Sequence, residues 1–125
     1  MPPKASKKTL KKKLDRKLQE IGRQVYTGCL VCGKKMSCLH HFYPKGMSLR
    51  LRYDWENMIP LCVGCHFSHH NGNPEVHEKV IKVKGEDWLN NLKLKKMEIV
   101  SDAISHYRDM EEKLNGLLKD FNKQL

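Results

Sequence analysis

Apolar residues recur near the N-terminus at steps of three and four: Leu10, Leu14, Leu18, Ile21 and Val25, with lysines and arginines between them. This spacing predicts an amphipathic helix from about Thr9, capped by Ser6 or Thr9, with an apolar stripe inward and a basic face outward. The Pro- and Lys-rich residues 1–8 predict a disordered start. The pattern then breaks at Gly28 and Gly33, so "TGCLVCGKK" reads as a knuckle-like turn. "SCLHHFYP" is strand-like up to Pro44 and Gly46. "SLRLRYDW" sets Leu49, Leu51 and Tyr53 against Arg50, Arg52 and Asp54, an alternation that predicts a strand or an extended loop. "NMIPLC" is a short apolar run, "CHFSHH" opens a helix, and "NGNP" breaks it. Residues 75–95 predict one or two short helices. From Met97 the residues Val100, Ile104, Tyr107, Met110, Leu114, Leu117, Phe121 and Leu125 continue the three-and-four rhythm. They predict one long helix with a seam of about four heptads. Such a seam packs on its own domain or pairs two copies, and its length in so small a protein favours a homodimer through residues 97–125.

The chain has 125 residues, which suits one small domain, residues 25–95, between a basic N-terminal arm, 1–24, and a C-terminal helix, 96–125. A core of that size benefits from a metal staple. The net charge of +10 is unevenly spread. Residues 1–24 carry nine Lys or Arg against two acids, whereas residues 96–125 carry five against six. A basic arm beside a folded domain predicts a polyanionic partner, DNA above all, against the plainer reading of a solubilising tail. Lys11, Lys12, Lys13, Arg16 and Lys17 are the candidates for backbone contact, with Lys45, Arg50 and Arg52 as further phosphate contacts. No recognition-helix pattern predicts base readout. No run approaches the roughly 18 apolar residues of a membrane span. The start lacks the apolar core of a signal peptide, so an intracellular protein with reduced thiols is expected.

Of the five cysteines, Cys29, Cys32, Cys62 and Cys65 form two Cys-x-x-Cys pairs. Two such turns present four thiolates to a tetrahedral ion; thiolate softness favours zinc or iron–sulfur over hard cations, and the spacing predicts structural Zn²⁺. Cys38 is left over and reads as a small buried side chain rather than a fifth ligand. The zinc site would anchor the helix that begins near Cys65. His66 and His70 then share one face at i and i+4, with His69 the competing partner at i+3. The doublet His40-His41 sits on the predicted strand, where neighbours point to opposite sides and can divide labour. His77 and His106 read as ordinary surface or packing residues, and Trp55 and Trp88 as core.

His40-His41, then Asn57, then His66, set between the cysteine pairs, resembles the HNH (ββα-metal) endonucleases. The steps from Asn57 to His66 and from His66 to His70, nine and four positions, are similar to those of colicin-type nucleases. The resemblance implies an α+β fold. A small zinc-stapled, treble-clef-like ββα-metal core would be flanked by the N-terminal basic helix and the long C-terminal helix. It also implies roles. His40, His66 and His70 would hold a catalytic divalent ion, His41 would be the general base, and Asn57 would orient His41 through backbone contacts. "LRLRYDWENMIPLCVGC", "NGN" and "VIKVKGEDWLNNL", followed by a long helix, further resemble the NinG (Rap) phage recombination endonucleases. That implies branched DNA as substrate and the cytoplasm of a bacterium or phage-infected host. The chain departs from that family in having His-His and Cys-His where Gly-His and Cys-Asn are usual.

The residue types suit phosphodiester hydrolysis. Histidine titrates near neutrality and can take a proton from water, and a cation can stabilise charge on the phosphate and leaving oxygen. Imidazole ligands favour Mn²⁺, Ni²⁺ or Zn²⁺ on affinity, while the family often works with Mg²⁺. Two other readings compete: a non-catalytic zinc module that binds nucleic acid, and a zinc-stapled dimerisation adaptor.

Overall fold

A computed structural model describes residues 6–123 as a small α+β protein. Residues 1–5 of the predicted disordered start and Leu125, the last position of the predicted seam, lie outside the described residues. Helix α1, Lys7–Val25, starts two residues before the expected Thr9 because Ser6 is the cap, its hydroxyl accepting from the Thr9 N–H at 3.2 Å. Leu10, Leu14, Leu18 and Ile21 are buried as the spacing requires, whereas Val25 is 38 % exposed and lies off the stripe. Strand β1, Cys38–His41, pairs antiparallel with β2, Met58–Leu61, with His40 opposite Ile59 and His41 opposite Met58. Helices α3, Val63–His70, α4, Pro74–Lys84, α5, Glu86–Lys96, and α6, Ile104–Lys123, complete the principal elements.

The two-stranded sheet separates two cores. On one side Leu39 and Met58 join the α1 stripe, Tyr53, and Tyr107, Met110 and Leu114 of α6. On the other, Ile59 and Leu61 join Phe42, Leu51, Val76, Val80, Leu92 and Cys29. Each fully buried aliphatic side chain contributes about 1.5–3 kcal/mol. Two apolar surfaces therefore hold a strand pair that would be marginal alone. Trp55 packs on the first core and Trp88 on the second, where its indole N–H donates to the Glu56 carbonyl at 2.7 Å.

Two expectations are corrected. Residues 49–52 form a short helix, α2, Leu49–Arg52, followed by a 3₁₀ turn, Trp55–Asn57, rather than a strand or extended loop. Ser48 caps α2 by accepting from the Leu51 N–H, and Asp54 caps the turn by accepting from the Glu56 N–H. The apparent alternation has another origin, since Leu51 and Tyr53 are buried in different cores. The predicted long helix begins at Ile104 rather than Met97. Met97 ends α5, and residues 98–103 connect the two helices. The middle of the predicted seam, Tyr107, Met110 and Leu114, is buried against α1 of the same chain, and Leu117 and Phe121 are partly buried there.

The α1–β1 approach is close and specific. Leu39 lies opposite Pro60, so its backbone groups point away from β2. Gln19 satisfies both, its amide oxygen accepting from the Leu39 N–H at 2.9 Å and its amide nitrogen donating to the Leu39 carbonyl at 2.8 Å. One turn on, Gly22 leaves the space that the Leu39 side chain fills: a methyl group there would overlap Leu39 Cγ and Cδ1. Gly116, in the middle of α6, has open space where its methyl would sit. The two glycines should therefore respond oppositely to alanine. Gly22→Ala should destabilise by about 1–3 kcal/mol through overpacking, despite the better helix propensity of alanine. Gly116→Ala should stabilise by up to about 1 kcal/mol. Urea unfolding of both variants checks the pair, and equal signs would mean that α1 does not approach β1 this closely.

Candidate functional site

The knuckle at residues 28–35 closes on itself. Gly33 adopts φ +76°, its N–H donates to the Cys29 carbonyl at 3.0 Å, and Gly28 bridges Lys35. The Leu30 N–H donates to the Pro60 carbonyl at 2.9 Å, which hangs the knuckle on the outer edge of β2. Proline fits there because the ladder to β1 asks no N–H of it. Directly after β2, Cys62 caps α3, its sulfur accepting from the Cys65 N–H at 3.4 Å. Cys29, Cys32, Cys62 and Cys65 thus meet, with their sulfurs within 4.8 Å of one another and Cys32 Sγ 3.5 Å from Cys62 Sγ. Thiolates bound tetrahedrally to zinc at about 2.3 Å stand about 3.8 Å apart. The four cysteines could therefore hold a structural ion such as zinc. Burial alone would raise the Cys29 thiol, but N–H groups of Cys32, Cys62 and Val31 bring it down to about 6. Burial and the neighbouring sulfurs push Cys65 upward, since this many thiolates cannot coexist without a cation.

The anchored start of α3 directs its histidines toward β1. The rings of His66 and His40 stack at 3.3 Å with an interplanar angle of 13°. They face a cleft of about 770 Å³ along the outer edge of β1. Asp15, Leu18 and Gln19 of α1 form one wall, His66, His69 and His70 of α3 another, and Pro44, Lys45 and Gly46 the lip. Burial and the nearby His66, His41, His69 and His70 push His40 down to about 4, so at neutral pH it is an unprotonated donor. His70 is exposed, its ring 6.0 Å from that of His66. His69 is turned toward Phe42, with its Nε2 3.4 Å from the Phe42 carbonyl. Neither joins His40 and His66 in a close group: among the described residues, the four cysteines form the one cluster of three or more metal-ligating side chains within 4.8 Å.

His41, one residue on, faces the other way. Its Nε2 lies 2.7 Å from the Arg52 carbonyl, an acceptor, so Nε2 carries the hydrogen and Nδ1 keeps its lone pair. Burial lowers the His41 pKa, the Arg52 carbonyl opposing. Asn57 is fully buried and makes no hydrogen bond to His41. Its side chain accepts from the Tyr43 N–H at 2.9 Å and donates to the carbonyls of Tyr43 and Leu51, while its own carbonyl accepts from the Phe42 N–H. Asn57 therefore ties the chain just after His41 to the α2 segment whose Arg52 carbonyl holds that ring.

The predicted cations divide. Arg50 is committed to Asp54 and Glu98, both at 2.8 Å, and Arg52 lies 3.9 Å from Asp15. Lys13 pairs with Glu111, Lys17 donates to Asn115, and Lys11 lies over the Tyr107 ring. Lys12 and Arg16 are exposed with no ion-pair partner among the described residues, and Lys45 stands at the cleft lip. His77 is exposed and stacked on Phe42, and His106 packs edge-on against Tyr107. No helix among the described residues is long and apolar enough to cross a membrane. Two cleft residues, Asp15 and Gln19, had drawn no attention in the sequence, and Cys38, read there as a small buried side chain, is half-buried in the cleft wall. Strand parity could have found Cys38, which shares a face with His40, but only the packing of α1 reveals the other two. No family model, curated protein or solved structure matches the chain.

The four-cysteine cluster makes a direct prediction. The purified protein should contain tightly held zinc, measurable by elemental analysis, and Cys29→Ser or Cys65→Ser should remove it. Because such sites contribute folding free energy outright, on the order of 10 kcal/mol in small zinc domains, chelation should abolish cooperative thermal unfolding. An unchanged melt in chelator would show that the cluster is not a metal staple.

Proposed function

We propose that this protein is a metal-dependent endonuclease that hydrolyses phosphodiester bonds in DNA, with a zinc-stapled ββα-metal core made by β1, β2 and α3. One observation carries the reading: His40, His41 and His66 line a single cleft, with His41 held through Nε2 and free at Nδ1. A satisfied structural histidine would not need a neighbour of the same kind stacked with another imidazole across an open cleft.

His40 and His66 are the candidate ligands, but their rings stack face to face with centroids 3.3 Å apart, and since an imidazole binds a metal in its own ring plane, a shared ion would require one ring to rotate. When bound, a divalent ion there would act as a Lewis acid at the scissile phosphate. His70 is the candidate to complete the ligand set, because His69 is engaged with Phe42. The chain's own groups do the remaining work. His41 Nδ1 takes a proton from water as the water oxygen attacks phosphorus. The bond from phosphorus to the leaving oxygen breaks, and solvent protonates that oxygen. The Arg52 carbonyl stabilises the imidazolium formed, and Asn57 fixes the distance between the two segments involved. Lys45 at the lip, and Lys12 and Arg16 on the outer face of α1, meet backbone phosphates on either side. Branched DNA such as a recombination junction is the preferred substrate on this reading. The second reading, a zinc module that only binds nucleic acid, draws on the stand-off of His70.

Plasmid, linear and four-way-junction DNA, incubated with Mg²⁺, Mn²⁺ or chelator, separate the two readings. His41→Ala should lower cleavage by about 10²–10⁴-fold, the usual worth of a general base, while leaving DNA affinity unchanged. Equal cleavage by wild type and variant removes His41 as base, and no cleavage by either leaves the binding module. In the binding assay Lys12→Ala and Arg16→Ala should each weaken affinity alike across sequences. Each should also reduce the slope of log affinity against log salt by about one. An unchanged slope would place the DNA on another face.

A further inference from the structure

We infer that Phe67 is a stacking platform for an unpaired nucleobase, so that DNA with an unpaired nucleotide beside the cleft is the preferred ligand. The inference rests on the proposed reading of the cleft as a nucleic-acid site, and names the form of DNA which that site selects.

Helix α3 is amphipathic in the inverted sense. Cys65, His66 and His69 are partly buried, whereas its two bulky apolar side chains, Val63 and Phe67, are 72 % and 70 % exposed. A surface helix ordinarily turns its apolar residues inward. Here cysteine and imidazoles take the inward positions, so nothing in the fold holds Phe67 or requires a phenyl ring there. At about 100° per residue, Val63 and Phe67 lie roughly 60° and 100° round the helix from His66, on the flank where His70 stands at about 40°. His66 and His70 form a wall of the cleft, so the exposed pair forms its shoulder.

What covers the ring follows from size and charge. Val63 and Phe67 together can bury on the order of 250 Å², far below the roughly 800 Å² that each side of a stable protein interface contributes. One flat ring suits one flat ligand. The net charge is +10, Lys12 and Arg16 are exposed on the outer face of α1, and Lys45 stands at the cleft lip. Cations that hold the backbone, with an aromatic side chain beside them for a base, are the combination by which unpaired nucleic acid is bound. In a duplex each base is stacked on its neighbours and presents no free face to Phe67. An unpaired base can leave the stack and lie on the ring while its phosphate stays in the cleft.

Fluorescence anisotropy tests this apart from cleavage, with the full chain, one salt concentration and no added divalent ion. The probes are a single strand, the matching duplex, and a duplex carrying one unpaired nucleotide. Wild type should bind the two unpaired forms more tightly than the duplex. Phe67→Ala should weaken both by about 5–150-fold, the usual worth of one base stacked on an aromatic ring, and leave the duplex affinity unchanged. Phe67→Tyr should keep the wild-type preference, whereas Phe67→Leu, apolar without a flat ring, should lose it. An unchanged thermal melt shows that each variant folds. Equal binding by the leucine and tyrosine variants, or an equal loss on all three DNAs, overturns stacking while the nucleic-acid reading stands. Loss of self-association in Phe67→Ala, with DNA binding intact, assigns the ring to a protein contact and overturns the inference as well. If wild type binds none of the three probes, the nucleic-acid reading falls and takes the inference with it.

Discussion

Four sulfurs crowded within 4.8 Å of one another cannot all ionise unless a cation lies among them, and the geometry of the cleft follows from how that crowding is resolved. The knuckle bearing Cys29 and Cys32 is hung on β2 by one backbone hydrogen bond, and Cys62 caps α3 at the end of the same strand. A metal joining the two would fix both the position and the rotation of an eight-residue helix that contains no fully buried residue. Helices this short are not stable by themselves. The rotation of α3 is what stacks His66 on His40, so the thiolate knot acts on the cleft although it contributes nothing to its lining.

The other wall is set by a different kind of force. Helix α1 is positioned by its leucine stripe, but a stripe specifies a face and leaves the axial register loose. Gln19 and Gly22 remove that freedom, one by pairing with both backbone groups of Leu39 and the other by admitting its side chain. The same register brings Asp15 to the cleft and turns Lys12 and Arg16 outward beside it. A basic helix that would otherwise be a loosely attached arm becomes a wall of the site, and α6 backs it through Tyr107, Met110 and Leu114.

Much of this was legible in the chain because it depends on local spacing. The α1 stripe, the two Cys-x-x-Cys turns, the strand carrying His40 and His41, and the helix after Cys65 all follow from periods of two or 3.6 residues, or from ligand spacing. What escaped depends on packing. Residues 49–53 alternate in the sequence, yet Leu51 and Tyr53 enter different cores, so the alternation reflects two destinations and not one pleated face. Ser48 three residues before Leu51 was a capping signal that outweighed it. The seam from Met97 reads as continuous because Val100 keeps the rhythm and no glycine or proline falls between Met97 and Ile104, although the helix begins only at Ile104. Its length suggested a second copy of the chain, but its central residues meet α1, a partner that spacing alone cannot distinguish from another molecule.

The division of the histidine doublet shows how an edge strand can assemble a site from both of its faces. Within a wide sheet, His40 and His41 would be separated by the sheet itself. Here β1 has a neighbour on one side only, and its free edge opens on the cleft, so residues of opposite parity reach the same volume. His40 leans toward α3 and the imidazole of His66. His41 leans toward the α2 segment and is fixed by the Arg52 carbonyl. Asn57 couples the two halves without a hydrogen bond to either ring, through the backbone of Phe42, Tyr43 and Leu51. Its full burial follows from that task, since every polar atom it brings into the core is matched by a backbone group that would otherwise lack a partner.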